Sequence, residues 1–402
     1  MRRKILLIIM ILLIILSSFS FSQVKTIKIW AMGEEAKNLN IMAEKFTKET
    51  GIKVDVQALP WTAAFSKILT GVAGRQVPDL AMMGTTWMAP FAAMGAFEDL
   101  GNYIAKSKVV KQEKFFPGSW ETVVYNNKAY GVPWYVDVRV LYYRTDMLKE
   151  VGYNKAPDTW DELYDAIKKL SQKYGVGKTG IGLSPTEPAN FMPFVWQNGG
   201  DIIDKNKNIL VKNPEFVEAL EFYSKFFKEN LVAKGGANVF VDFESGLLPM
   251  FFSGPWMVSM IKEQVPKITG KWMVSVMPKK KTRTSFVGGS NWIIFKDAKN
   301  KKEAWSFIEF MTRTENQLEW YKILRSLPAV KEVWENPELA NDPMTRVFRE
   351  QLEDAKSTPI VPEWDKIETA LGRRVEEVCL GNRDVKEGVE LLYKDLQKIL
   401  RK

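Results

Sequence analysis

Residues 25–58, "KTIKIWAMGEEAKNLNIMAEKFTKETGIKVDVQA", change period twice. Lys25 to Trp30 alternates polar and apolar side chains, the two-residue period of a half-buried strand. From Leu39 the spacing changes: Leu39, Met42, Ala43 and Phe46 share one face of a helix, and Gly51 stands where that helix should end. Alternation resumes at Ile52. A second helical stripe (Phe65, Ile68, Leu69, Val72) and a short apolar strand, "PDLAMM" at Pro78–Met83, follow. Strand–helix–strand–helix–strand in so short a span predicts parallel strands covered by helices, the start of an α/β domain.

Further along, "PWYVDVRVLYYR" (133–144) has strong β-propensity but carries Asp137 and Arg139 two positions apart, on the face opposite Trp134. "APDTWDELYDAIKKL" opens with Thr159 and Glu162 spaced as a capping box. "TSFVGGSNWIIF" (284–295) returns to strand character, and the last 70 or so residues are helical in pattern, broken by "STPIVPEW" at 357–364.

Composition removes many chemistries. Met1-Arg2-Arg3-Lys4, the apolar run Ile5–Leu16 and the small residues to Ser22 form a secretory leader with cleavage expected before Gln23. The 380 residues beyond it exceed what one core usually organises. The leader holds three of the 57 basic residues, so the remainder, with 48 acidic ones, carries a net charge of only +6. The densest basic run, "PKKKTRT" at 278–284, lacks interleaved aromatics, which argues against a nucleic-acid partner. There is no histidine, hence no histidine-based triad or imidazole metal ligand. Cys379 is the sole cysteine, so burial rather than disulfides must hold the fold, and a core thiol is its plain reading. No cofactor and no metal is implied.

The 14 tryptophans are the most informative residues. Trp30 ends the first strand, Trp61 follows Pro60 and Trp87 follows "GTT". Trp196 precedes "QNGG", Trp256 ends "SGPW", Trp292 follows "GGSN" and Trp364 follows Pro362-Glu363. Loops beyond the ends of parallel strands are where open α/β sheets bind ligands. An aromatic face suits the C–H surface of a sugar ring, and neighbouring polar groups can bond its hydroxyls. Asp137 and Arg139 either bridge two segments or reach a polar ligand at the strand end. Asp242 and Glu244 in "VDFESG", if extended, would present two carboxylates to one face, the minimum for a glycosidase.

Taken together, the leader, "IKIWAMGEEAKNLNIMAEKFTKETGIKVDVQALPW", "PDLAMMGTTWMAPF", "YGVPWYVDVRVLYYRTDML", "PDTWDELYDAIKKL", "FESGLLPMFFSGPW" and "GGSNWIIF" resemble, in order and spacing, the family 1 extracellular solute-binding proteins. These are the maltose-binding-protein-like carbohydrate receptors of ABC importers. The resemblance implies an α/β, two-lobed periplasmic-binding-protein fold (type II, Venus-flytrap), with discontinuous lobes joined by a three-segment hinge. The implied segments are a signal peptide at 1–22, lobe 1 at 23–133, lobe 2 at 134–284, a return to lobe 1 at 285–328, and C-terminal helices, mainly lobe 2, at 329–402. Crossings are expected near Pro133–Asp137, Ser285–Ser290 and Leu327–Val330.

By the same resemblance, Thr86 and Trp87 face the ligand from the first lobe, and Tyr135 and Asp137 contact it from the hinge strand. Trp256 stacks on a ring, and the turn Gly289-Ser290-Asn291 offers backbone groups. Trp30 and Trp61 stand at first-lobe positions that are often aromatic or polar. Gly84 departs from the polar residue many relatives carry. The implied function is a di- or oligosaccharide receptor, periplasmic or extracellular and soluble after leader cleavage. It would act as a monomer that partners the permease subunits of the importer and catalyses nothing. Arg139, Arg373 and the positive charge keep an anionic polyol ligand open, and Asp242 with Glu244 keeps a secreted glycoside hydrolase open.

Overall fold

A computed structural model describes residues 25–234 and 238–400; the expected leader, residues 1–22, lies outside them. Two sheets organise the chain. In the first, of seven strands, β1 (Thr26–Met32) lies between β2 (Lys53–Leu59) and β3 (Leu80–Gly84) and runs parallel to both. The connections are helices α1 (Gly33–Thr50) and α2 (Trp61–Ala73), as parallel neighbours need a crossover connection. The helical face expected for α1 is the buried one: Leu39, Met42 and Phe46 are fully enclosed. A small hairpin, β4 (Val124–Tyr125) and β5 (Lys128–Ala129), precedes β6 (Val132–Val138).

β7 (Val140–Arg144) follows β6 after one residue, Arg139, yet belongs to the second sheet. That sheet has four strands, with β8 (Ile181–Gly182), β9 (Met250–Ser253) and β10 (Trp272–Ser275) beside β7. Alternation sorts its faces. Val140, Tyr142, Phe251 and Val274 join the core that continues from the first sheet. Leu141, Tyr143 and Met250 face the core of the second lobe. Arg139 therefore marks the first passage between lobes.

The second passage leads from β10 to β11 (Ser285–Ile294), which returns antiparallel to both β3 and β6. Helix α3 (Trp256–Gln264) lies between β9 and β10 in sequence; α4 (Lys301–Thr312) and α5 (Thr314–Leu324) then cover the first sheet. β12 (Leu327–Pro328) pairs with β6 at the edge of the first sheet, so Leu327–Val330 is not where the chain leaves that lobe. Instead Val333, Trp334, Leu339, Phe348 and Leu352 stay in the first core, and helix α6 (Pro343–Glu353) packs against β10 and β11 alike. β13 (Ala355–Lys356) pairs with β11. Only from Trp364 do α7 (Trp364–Cys379) and α8 (Val385–Leu400) enter the second core. The third passage thus runs through α6 and the segment after it, later than expected, because the apolar face of α6 has both sheets to cover.

Three indoles back the crossing. Trp134 on β6 lies 4.2 Å from Trp292 on β11 and 4.9 Å from Trp320 on α5, with interplanar angles of 32° and 30°. All three are fully buried, which fixes where β6 and β11 sit relative to α5. Gln317 completes the joint: its amide nitrogen donates to the Trp134 carbonyl at 2.8 Å, and its oxygen accepts from the Ala329 amide at 3.0 Å.

Candidate functional site

β6 lines a cleft between the lobes with Tyr135, Val136 and Asp137, while β11, its antiparallel neighbour, contributes no side chain to the lining. Gly288 pairs with Asp137, Gly289 with Val136 and Ser290 with Tyr135, and a bulge separates Ser290 from Asn291. Glycine is required twice. Gly289 has φ +117°, and a Cβ there would overlap the Tyr135 carbonyl; at Gly288 a Cβ would lie 2.7 Å from the Asp137 carboxylate. The strand can pass this close to Asp137 only without side chains. Ser290 Oγ donates to the Tyr135 hydroxyl at 3.1 Å, fixing that ring.

Asp137 is held from the other side. Arg139 Nη1 donates to its Oδ1 at 2.7 Å, both side chains being mostly buried. The same guanidinium lies 4.7 Å from the Trp256 ring centroid and 5.5 Å from that of Phe286. Trp256 begins α3 and remains 40% exposed. Across the cleft Trp61, at the start of α2, is also 40% exposed. Trp87 meets Trp61 edge-on at 5.6 Å and is itself braced by Phe65 at 5.5 Å. A Cβ at Gly84 would meet both indoles at ordinary van der Waals distance, 3.7 Å or more, so a small side chain would fit there.

Trp61, Tyr135, Asp137 and Trp256 line one cavity of about 790 Å³, within the size range of small-molecule sites. Glu34, Glu35, Ser259, Glu263, Arg325 and Ser326 complete its polar lining. Burial pushes the Glu35 carboxyl above its ordinary value; a hydrogen bond from Tyr135 opposes this, and Glu34 and Asp137 reinforce it. The Tyr135 hydroxyl is raised well above the usual phenol range, by burial first and then by the charge of Glu35. The cleft therefore offers two exposed indoles and a set of hydrogen-bonding carboxylates, and among the described residues lining it Arg325 is the one cation.

Several expected residues lie elsewhere. Trp30 is buried against α2, its Nε1 donating to Gln57 at 2.8 Å, with its ring edge fitted against Gly71. Trp292 belongs to the buried indole stack. Trp196 is buried in the second lobe and bonds Asp201 at 3.3 Å, and Trp364 is buried in the same core. Arg373 donates to Asp395 at 2.9 Å and lines a separate hollow with Thr186, Glu187 and Glu368. Thr86 faces a small hollow closed by Ser357–Ile360, and Asn291 is buried, donating to Thr122 at 3.1 Å. Adjacency to Gly or Pro did not mark these side chains as exposed, because those turns pack inward.

The missed residues had a weaker signal. Gly33-Glu34-Glu35 directly follows β1, the position where α/β sheets hold ligands, but acidic residues in a first helical turn also suit the helix dipole. Asp242 and Glu244 form no carboxylate pair: they lie in the helix Val239–Ser245, where positions two apart point in different directions. Asp242 is buried and Glu244 lies 3.5 Å from Lys267. Burial pushes the Cys379 thiol up to about 12, leaving it inert. No helix among the described residues is long and apolar enough to cross a membrane.

Comparison with known proteins agrees with this architecture. A family described as bacterial extracellular solute-binding protein matches residues 42–346. The structure is similar to that of the sugar-binding protein MalE of Xanthomonas citri, with TM-score 0.89 and 33% identity, covering 94% of this chain and 97% of that one. It is also similar to an ABC transporter solute-binding protein of Thermotoga lettingae bound with α-D-tagatose (TM-score 0.80, 27% identity, 94% and 100% covered). The galactooligosaccharide-binding protein of Bacillus subtilis is 23% identical over 394 residues, 93% of this chain and 89% of its own. This chain belongs to the bacterial extracellular solute-binding protein family.

Proposed function

We propose that the protein is the receptor of an ABC importer for a neutral di- or oligosaccharide, which it holds between its lobes without catalysis. One observation carries the reading. Trp61 and Trp256, from different lobes and both 40% exposed, line one cavity with Asp137. Large aromatic surfaces left in water at a strand-end cleft suit a sugar ring, whose C–H face stacks while its hydroxyls bond carboxylates. The sugar ligands named for the relatives support the same class.

An anionic polyol fits less well. Asp137 already neutralises Arg139, so an anion would meet Glu35 and Glu263, with Arg325 the one cation among the described residues that line the cleft. In the proposed cycle the protein is exported, its leader is removed before Gln23, and it works as a monomer. Ligand contacts made to both lobes favour a closed form, and the permease selects that form.

Tryptophan fluorescence and melting temperature, followed against malto-, cello-, manno-, xylo- and galacto-oligosaccharides, test the proposal. A bound sugar should shift the emission and raise the melting temperature with concentration. If no member of so broad a panel moves either signal, the carbohydrate reading is wrong.

A further inference from the structure

The main cleft does not end at Arg325. A second chamber of about 320 Å³ adjoins it, and Pro255, Ser259, Glu263 and Arg325 form walls of both. Helix α3 is the partition. Trp256 and Met260 face the main cleft, Val258 and Lys262 face the second chamber, and Ser259 and Glu263, one turn apart, border each.

The two spaces differ in chemistry. The main cleft has aromatic faces, whereas the second chamber is lined chiefly by groups that give or take hydrogen bonds. It has two rings: Phe348 is buried, and Tyr321 is covered by the Arg325 guanidinium, 5.1 Å from the centroid. Arg325 is held there by the left-handed backbone (φ 58°) with which it caps α5. Beneath, the buried Tyr321 hydroxyl and Thr345 Oγ1 stand 3.5 Å apart, the outer limit of a hydrogen bond, so both keep capacity for another partner. Lys262 and Glu263 project into the chamber without an ion-pair partner among the described residues.

We propose that the ligand passes from the stacking platform over Ser259 and Glu263 into this chamber. The preferred ligand is then a linear oligosaccharide longer than a disaccharide, its terminal unit held by hydrogen bonds from Lys262, Thr345 and Arg325 rather than by stacking. This rests on the saccharide reading above and adds length selection to it. One of these groups lies on α3 and two on the α5 and α6 side, so the longer ligand also adds contacts that span the hinge.

The test is calorimetric titration of the full mature chain with di-, tri- and tetrasaccharides of the malto-, cello-, manno- and galacto- series. Affinity should rise by about tenfold or more between di- and tetrasaccharide of the recognised series. Lys262→Ala and the space-filling Val258→Trp should remove that rise while leaving the disaccharide within about twofold of its native affinity. Lys262 is exposed, so its variant is expected to fold even if the tryptophan variant does not. Equal affinity at all lengths, or variants that weaken every length alike, overturns the second chamber and leaves the cleft reading intact. Absence of binding by every sugar overturns both.

Discussion

Arg139 covers the Trp256 ring, its guanidinium carbon 4.7 Å from the centroid. The same side chain holds Asp137, so the ion pair and the indole form one assembly spanning the point where β6 gives way to β7. Arg139 and Gly254 both pack on the Trp256 ring, and the part of the indole that stays exposed is what a ligand could meet.

Arg139→Ala removes two supports at once. Losing a largely buried ion pair and a cation–π contact should cost about 1–3 kcal/mol of stability, read by denaturant unfolding. Sugar affinity should fall by more than the stability loss explains. Arg139→Lys, keeping the charge without the planar fork, should restore stability better than affinity.

Asp137→Ala should abolish measurable sugar binding with the fold retained, as judged by melting and circular dichroism. Gly288→Ala gives the complementary result. Its Cβ would press on the Asp137 carboxylate at 2.7 Å, moving that group without removing it. Gly289→Ala should be worse for the fold, at roughly 2–4 kcal/mol, because its φ of +117° and the Tyr135 carbonyl both exclude a side chain. Normal binding by Asp137→Ala would reduce the pair to a structural bridge.

The tryptophans divide by burial. Trp61→Ala should change stability by about 1 kcal/mol or less but weaken binding and remove part of the fluorescence response. Trp292→Ala, in the indole stack, should cost about 3–5 kcal/mol. Comparable losses of stability in both would mean that Trp61 is packed in the free protein.

That division also marks how far the sequence could be read. The parallel strands and their helices were legible because period two and period 3.6 arise from backbone geometry alone, whereas the first passage falls at Arg139, between β6 and β7, rather than near Pro133–Asp137. Trp61, Tyr135, Asp137 and Trp256, singled out in the sequence, line one cavity; Trp61 and Trp256 begin helices and Tyr135 and Asp137 lie on β6. Trp30, Trp196, Trp292 and Trp364 have the same local neighbours but face inward, and only packing decides that. Glu35, Ser259, Glu263 and Arg325 join the cleft from segments distant in the chain. Arg325 in particular depends on the left-handed cap of α5, a conformation rarely taken by arginine and not signalled in "KILRSLP". The third passage was misplaced because α6 has two sheets to cover, a tertiary fact.

Glu35 should make the ligand-free protein sensitive to pH. Burial raises its folded-state pKa above the ordinary 4.5, so the folded state binds the proton more tightly than the unfolded chain. Its contribution is fully present below pH 4.5 and is lost as pH rises through the folded-state value. Glu35→Gln should therefore raise the melting temperature by about 1–2 °C at pH 7, with the gain vanishing near pH 4, while weakening sugar binding. An unchanged difference across that range would show that Glu35 is solvated like an ordinary carboxylate.

The most direct measurement is the crystal structure of the protein with the saccharide that binds it best. A sugar ring should lie against the exposed part of Trp256, with Trp61 beside it and a hydroxyl donating to Asp137. A ligand bound elsewhere, with Trp61 and Trp256 still open to solvent and Asp137 bonded only to Arg139, would contradict the account.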